Sequence, residues 1–153
     1  MKNIFYFFLI FILAGCSKSF LEIFPETTLN EGNFYETETD FINLANGCYV
    51  PMRDNEKNNH WVIAEFISDN GTKQYNPTTG DVDKTPIDQF LITANNGFYS
   101  RFWDLSYNGI ARCNKLLDEI NSRDISWSNV SLKDRCIGEA LFLRGLYYFD
   151  LVR

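Results

Sequence analysis

The chain has a single histidine, His60, set in an Asn-rich stretch, and it has no Gly-x-Ser-x-Gly turn and no paired nucleophile. Hydrolysis by a serine, base and orienting acid therefore has no visible machinery. A cysteine paired with His60 is the nucleophilic arrangement that stays open. Cys-x-x-Cys is also missing and no histidine neighbours a cysteine, so zinc has no ligand set. No glycine-rich phosphate loop occurs, and neither a metal nor a cofactor is expected. Positive charge is scarce, with 14 Lys and Arg against 20 Asp and Glu and a net charge of −6. Without a basic cluster to hold phosphates, nucleic acid is not expected as a partner. Asp81 and Asp83 come nearest to a catalytic carboxylate pair. Glycoside hydrolysis needs two carboxyls held opposed across a cleft. In a Gly/Pro/Thr-rich stretch these two read as solvated, and the chain reads as a non-enzyme.

Long apolar runs are lacking as well. Ile4 to Leu13 is unbroken, but ten residues rise only about 15 Å as a helix, roughly half the hydrocarbon thickness. After the positive start Met1-Lys2-Asn3, such a run is the apolar centre of a secretory signal peptide. Leu13-Ala14-Gly15-Cys16 follows and resembles a bacterial lipobox. Cleavage before Cys16 would free an amino group, and acylation there and on the thiol would anchor the chain, because more than one acyl chain holds stably. The expected organisation is thus a lipoprotein signal peptide at 1–15, an extended arm at 16–36 and a helical domain at 37–153. Ser17-Lys18-Ser19 follows Cys16, and Glu22 is the first acid.

Beyond Cys16 the cysteines are Cys48, Cys113 and Cys136, an odd number that cannot pair completely. Each falls at a helical core position and reads as a small buried hydrophobe. Tyr35, Tyr49, Trp61, Tyr75, Tyr99, Trp103, Tyr107 and Trp127 make the mature chain aromatic. Helical cores need such residues and sugar rings stack on them, so abundance alone does not choose.

Thr37-Glu38-Thr39-Asp40 predicts a capped helix start, with Phe41, Leu44, Ala45, Cys48, Tyr49 and Met52 on one face and an end near Pro51. Asp54–His60 reads as a polar loop. Trp61–Ile67 reads as a helix, with a strand as alternative, closed by the turn Ser68-Asp69-Asn70-Gly71. Thr72–Thr93 is the least regular stretch, of the kind that is functional or mobile. A long helix is expected over Tyr99–Ile120, with Phe102, Ser106, Gly109, Cys113, Leu117 and Ile120 as its stripe and Trp103, Tyr107 and Ile110 widening it. Trp103 and Tyr107, one helical turn apart, read as core first and as a sugar-stacking platform second. Ser131-Leu132-Lys133-Asp134 offers a further cap pattern, and a terminal helix carries Cys136, Ala140, Leu143, Tyr147 and Leu151 in register.

That terminal helix is apolar on every side from Leu141 to Val152, with Arg144 and Asp150 its sole charges there, and such a helix belongs inside something larger. Its Gly138-Glu139-Ala140-Leu141-Phe142-Leu143-Arg144-Gly145-Leu146-Tyr147-Tyr148-Phe149-Asp150-Leu151-Val152-Arg153 resembles a segment of the SusD/RagB family, glycan-capturing outer-membrane lipoproteins of Bacteroidetes. Phe20-Leu21-Glu22-Ile23-Phe24-Pro25, the Thr37/Asp40 cap, and Trp103, Tyr107, Ile110 and Asn114 match family patterns too. The resemblance implies a mainly α fold, a tetratricopeptide-like helical superhelix of which this chain is a truncated amino-terminal part. It also implies an oligosaccharide ligand, or a peptide as in the RagB branch, and a SusC-like TonB-dependent transporter as partner. Loop Asp accepts hydrogen bonds from sugar hydroxyls, loop Asn both donates and accepts, and ring faces stack on aromatics. The loop from Ser68 to Tyr99 therefore supplies the candidate ligand residues Asp69, Asn70, Tyr75, Asn95, Asn96 and Tyr99. Glu139 and Arg144 are expected to form ion pairs with neighbouring helices, and Gly109 and Gly145 to lie at helix contacts. A purely structural helical scaffold remains the alternative.

Overall fold

The Thr37 cap forms as its spacing demands. Thr37 Oγ1 accepts from the Asp40 amide while the Asp40 carboxylate takes the Thr37 amide at 2.8 Å, so each end satisfies the other. In the computed structural model, which describes residues 34–74 and 82–153, this cap starts α1, Glu38–Asn55. A π turn, Glu56–His60, runs on into α2, Trp61–Ile67. The short α3, Lys84–Asp88, precedes two long helices, α4 at Gly97–Ser122 and α5 at Val130–Val152. The fold is mainly α, and no strand occurs among the described residues. No helix among them is long and apolar enough to cross a membrane. The signal segment, Cys16 and most of the 16–36 arm lie outside the described residues, as do Tyr75 and Asp81.

Residues Tyr35–Arg153 form one compact unit around α1, α4 and α5. Gly47 meets Arg112 and Asn55 meets Ser106, so α1 and α4 run antiparallel. Arg144 reaches Asn114 and Tyr147 lies on Gly109, which makes α4 and α5 antiparallel as well. Phe41, Ala45 and Cys48 of α1 face Ile110, Cys113, Leu116 and Ile120 of α4 and Cys136, Ala140, Leu143 and Tyr147 of α5, all buried. Leu116 takes the deep position expected of Leu117, which is half-buried. At one end Phe41 packs on Tyr35 and Trp127, and Glu38 accepts from the amide and hydroxyl of Ser128 at 2.9 Å.

Three local expectations are corrected. Pro51 does not end α1, which continues four residues past it. Proline has no amide to donate to the carbonyl four residues back, and here the Arg112 guanidinium donates to that carbonyl, Gly47 O, at 3.0 Å. The next rung is bridged too: the Tyr147 hydroxyl donates to Cys48 O at 2.7 Å and accepts from the Met52 amide at 3.0 Å. Side chains of the two neighbouring helices thus mend the ladder that Pro51 interrupts.

The polar run Asp54–His60 is not a loop. Asn55 and Asn59 are buried, and their amides find partners inside the bundle. Asn59 donates to Asn55 Oδ1 at 3.2 Å, Asn55 donates to Ser106 Oγ at 3.1 Å, and Ser106 donates to Phe102 O at 2.7 Å. A buried polar group with its hydrogen bonds made costs little, so composition here misreads as solvent exposure.

The cap of α5 is Asn129, whose Oδ1 accepts from the Ser131 amide at 2.9 Å, in place of Ser131. Gly109 sits at a helix contact as expected, but Gly145 faces open space. Glu139 pairs within its own helix, with Arg135 at 2.7 Å, whereas Arg144 does cross to α4 and donates to Asn114.

Candidate functional site

Beyond the π turn, α2 lies beside the end of the bundle where α4 begins and α5 finishes. Between them lies a groove of about 720 Å³. From the first helical stretch come His60, Ile63, Ala64 and Ile67; from α4 come Tyr99, Ser100, Phe102 and Trp103; Asp150, Leu151 and Arg153 close the third side. Most of this lining is apolar, with a few polar groups at the rim, the usual make-up of a small-ligand site.

The rim is hydrogen-bonded within itself. His60 Nδ1 lies 2.6 Å from Glu56 Oε1, and its Nε2 lies 2.6 Å from Arg153 Nη2. A guanidinium only donates, so Nε2 accepts and Nδ1 carries the proton toward Glu56. Arg153 Nε also pairs with Asp150 at 3.0 Å. His60 stacks at a tilt on Phe102, ring centres 5.8 Å apart. Among the described residues no cysteine lines the groove, so no described cysteine is paired with His60 there.

Trp103 and Tyr107 are not core. They are 56% and 42% exposed, with ring centres 4.8 Å apart, and with Tyr99 one turn earlier they form an aromatic ladder along α4. The buried stripe of α4 is the neighbouring one through Ser106, Gly109, Ile110 and Cys113. Burial raises the Tyr99 phenol above its ordinary value, so it stays a neutral hydrogen-bonding group at physiological pH.

The loop candidates scatter. Asp69 and Asn70 are exposed just past α2, and Asp69 holds a left-handed backbone with φ 59°. Asn95 is exposed. Asn96 is buried as the cap of α4: its Oδ1 accepts from the Phe98 and Tyr99 amides and its Nδ2 donates to Asp83 O at 2.7 Å. Both ends of that side chain are used by the fold. Tyr75 lies outside the described residues. Of the five that are described, Tyr99 alone lines the groove. Asp83 borders a smaller hollow of about 390 Å³ with Asn58 and Arg101, and its partner in the carboxylate pair, Asp81, is not described. Among the described residues no three His, Cys, Asp or Glu side chains converge as a metal site.

Residues 19–153 match the SusD-like family described as starch-binding and associating with the outer membrane. The chain belongs to the SusD-like family. A SusD-like protein of Formosa agariphila is 29% identical over 158 residues, which cover 99% of this chain and 29% of that protein. This SusD-like chain thus spans under a third of the length of the curated relative it matches. No solved structure matches it. Trp103 and Tyr107 are exposed and in ring contact on α4. The four-residue spacing of Tyr99, Trp103 and Tyr107 was the available signal, since it marks a separate stripe on the helix.

Proposed function

We propose that this chain belongs to a glycan-binding lipoprotein of an outer-membrane nutrient-uptake complex, acting by capture and without catalysis. The observation that carries the proposal is the match of residues 19–153 to a family described as starch-binding and outer-membrane associated. Cys16, behind the lipobox-like Leu13-Ala14-Gly15, is the lipid attachment point in this reading, and the anchored protein faces the cell surface. Its partner is a SusC-like TonB-dependent transporter to which the bound oligosaccharide passes. The scaffold is the tetratricopeptide-like array of the family, to which α1, α4 and α5 contribute antiparallel pairs.

Tyr99 and Trp103 at the groove supply faces for the apolar side of a sugar ring, and Ser100 and Asp150 supply polar partners for its hydroxyls. Asp69, Asn70, Asn95 and Tyr75 stand as further contacts from the adjoining loop, and Asn96 acts through its cap on the turn that carries Tyr99. The test is calorimetric titration with neutral oligosaccharides and, in parallel, short peptides. Saturable oligosaccharide binding, weakened by Trp103→Ala with helicity unchanged, supports the reading. Binding of peptides alone would favour RagB-type cargo. Release of reducing sugar from a polysaccharide, abolished by Asp81→Asn or Asp83→Asn, would replace binding with hydrolysis.

A further inference from the structure

Cys48 of α1 and Cys113 of α4 are both fully buried, each about two helical turns from the Asn55–Ser106 hydrogen bond that joins these antiparallel helices, and the Cys48 thiol donates to Leu44 O at 3.3 Å. They are free in this structure. The residue before each is also in contact, Arg112 donating to Gly47 O at 3.0 Å, so the two backbones are locked in register at this level. Cys136 is buried as well but lies on α5 beside Arg135 and Glu139. The register of α1 and α4 sets these two buried cysteines at one level of their shared interface.

We propose that Cys48 and Cys113 are an oxidisable pair that closes a disulfide stapling α1 to α4. The setting rests on the outer-membrane reading above, because thiol pairs persist as disulfides outside the cytosol. The oxidant is of the disulfide class, a small molecule such as oxidised glutathione or a protein dithiol oxidase, acting as the helices close. Cys113 thiolate attacks one sulfur of that disulfide and displaces the first thiolate. Cys48 then loses its proton and attacks the Cys113 sulfur, displacing the second thiolate. Two thiols become one disulfide while the oxidant is reduced to two thiols, which take up the two protons. The order follows from the surroundings. The neighbouring Cys48 thiol and the Arg144 charge hold Cys113 below the ordinary thiol range, whereas the Cys113 thiol and burial push up Cys48, whose proton is directed to Leu44 O. The more acidic thiol supplies the first nucleophile.

The test is refolding of the full chain from reduced denaturant in a glutathione buffer, followed by acid quench, maleimide labelling under denaturing conditions and peptide mapping without reductant. The expected result is a Cys48–Cys113 cross-linked peptide lighter by two hydrogens, Cys136 labelled, and a melting temperature that falls by several degrees on reduction. Cys136→Ala should keep the cross-link. Full labelling of Cys48 and Cys113 after oxidation, or a bond from either to Cys136, overturns the proposal. Because this readout is made on the unsubstituted chain, it does not depend on any variant folding. A cross-link in vitro with unmodified thiols in protein alkylated during isolation from cells would uphold the pair and overturn the exported location instead.

Discussion

The ring of Tyr147 lies directly on the backbone of Gly109, where any β-carbon would overlap it. Only across a glycine can the phenol pass α4 and reach α1, where it bridges Cys48 O and the Met52 amide. Gly109, Tyr147 and Pro51 are therefore one arrangement. The proline opens the ladder, the tyrosine bridges it, and the glycine makes room.

Gly109→Ala should destabilise the fold by about 1–3 kcal/mol, the range for overpacking a filled core. Tyr147→Leu should lower that penalty, since the atoms that meet the new methyl are gone. A double-mutant cycle by urea unfolding measures the coupling; additive effects would deny that the two residues share the contact.

Tyr147→Phe keeps the ring and removes the hydroxyl. Two buried backbone groups lose their bridge, at a cost of about 1–3 kcal/mol. Burial foremost raises the Tyr147 phenol from 10.0 to about 12. The folded state thus favours the neutral form, and its contribution is complete below pH 10 and lost as pH rises toward about 12. Stability measured across that window should fall less steeply in the phenylalanine variant.

Gly145→Ala is expected to act in the opposite direction. Nothing lies within contact of a β-carbon there, so the helix propensity gain of about 0.5–1 kcal/mol is unopposed. A raised urea midpoint with unchanged slope would show it.

Thr37→Ala should cost about 1 kcal/mol at neutral pH through loss of the cap. The Thr37 hydroxyl is the chief reason the Asp40 carboxyl sits below its ordinary value. A depressed carboxylate stabilises above its unfolded value and ceases to do so as pH falls through the folded one. The difference between wild type and variant should therefore shrink in acid, as read from melts on either side of that range.

Trp103→Ala should weaken oligosaccharide binding on the order of tenfold, about 1.4 kcal/mol, with circular dichroism unchanged because the side chain is more exposed than buried. An equal affinity would move the site away from the groove.

Much of the helical frame was legible because its signals are local. Thr37 and Asp40 announce a cap by spacing, and Phe102, Ser106, Gly109 and Cys113 announce a face by period. What was illegible depends on partners distant in the chain. Pro51 reads as a stop until Arg112 and Tyr147 arrive from other helices. Asn55 and Asn59 read as loop until Ser106 and Phe102 O accept from Asn55, whose Oδ1 in turn accepts from Asn59. The groove was hidden for the same reason: His60, Trp103 and Asp150 are far apart in sequence and meet only in the folded bundle.

The junction of α1 and α2 is the π turn at Glu56–His60. A wider turn holds one surplus residue, and each residue added to a helix rotates everything beyond it by about 100°. α1 and α2 thus behave as one shaft cut and rejoined out of phase. The angular position of Ile63 and Ile67 is set by a count of residues and not by their own chemistry. Removing one residue from this stretch would swing the whole of α2 to another bearing, although every side chain that lines the groove would still be present.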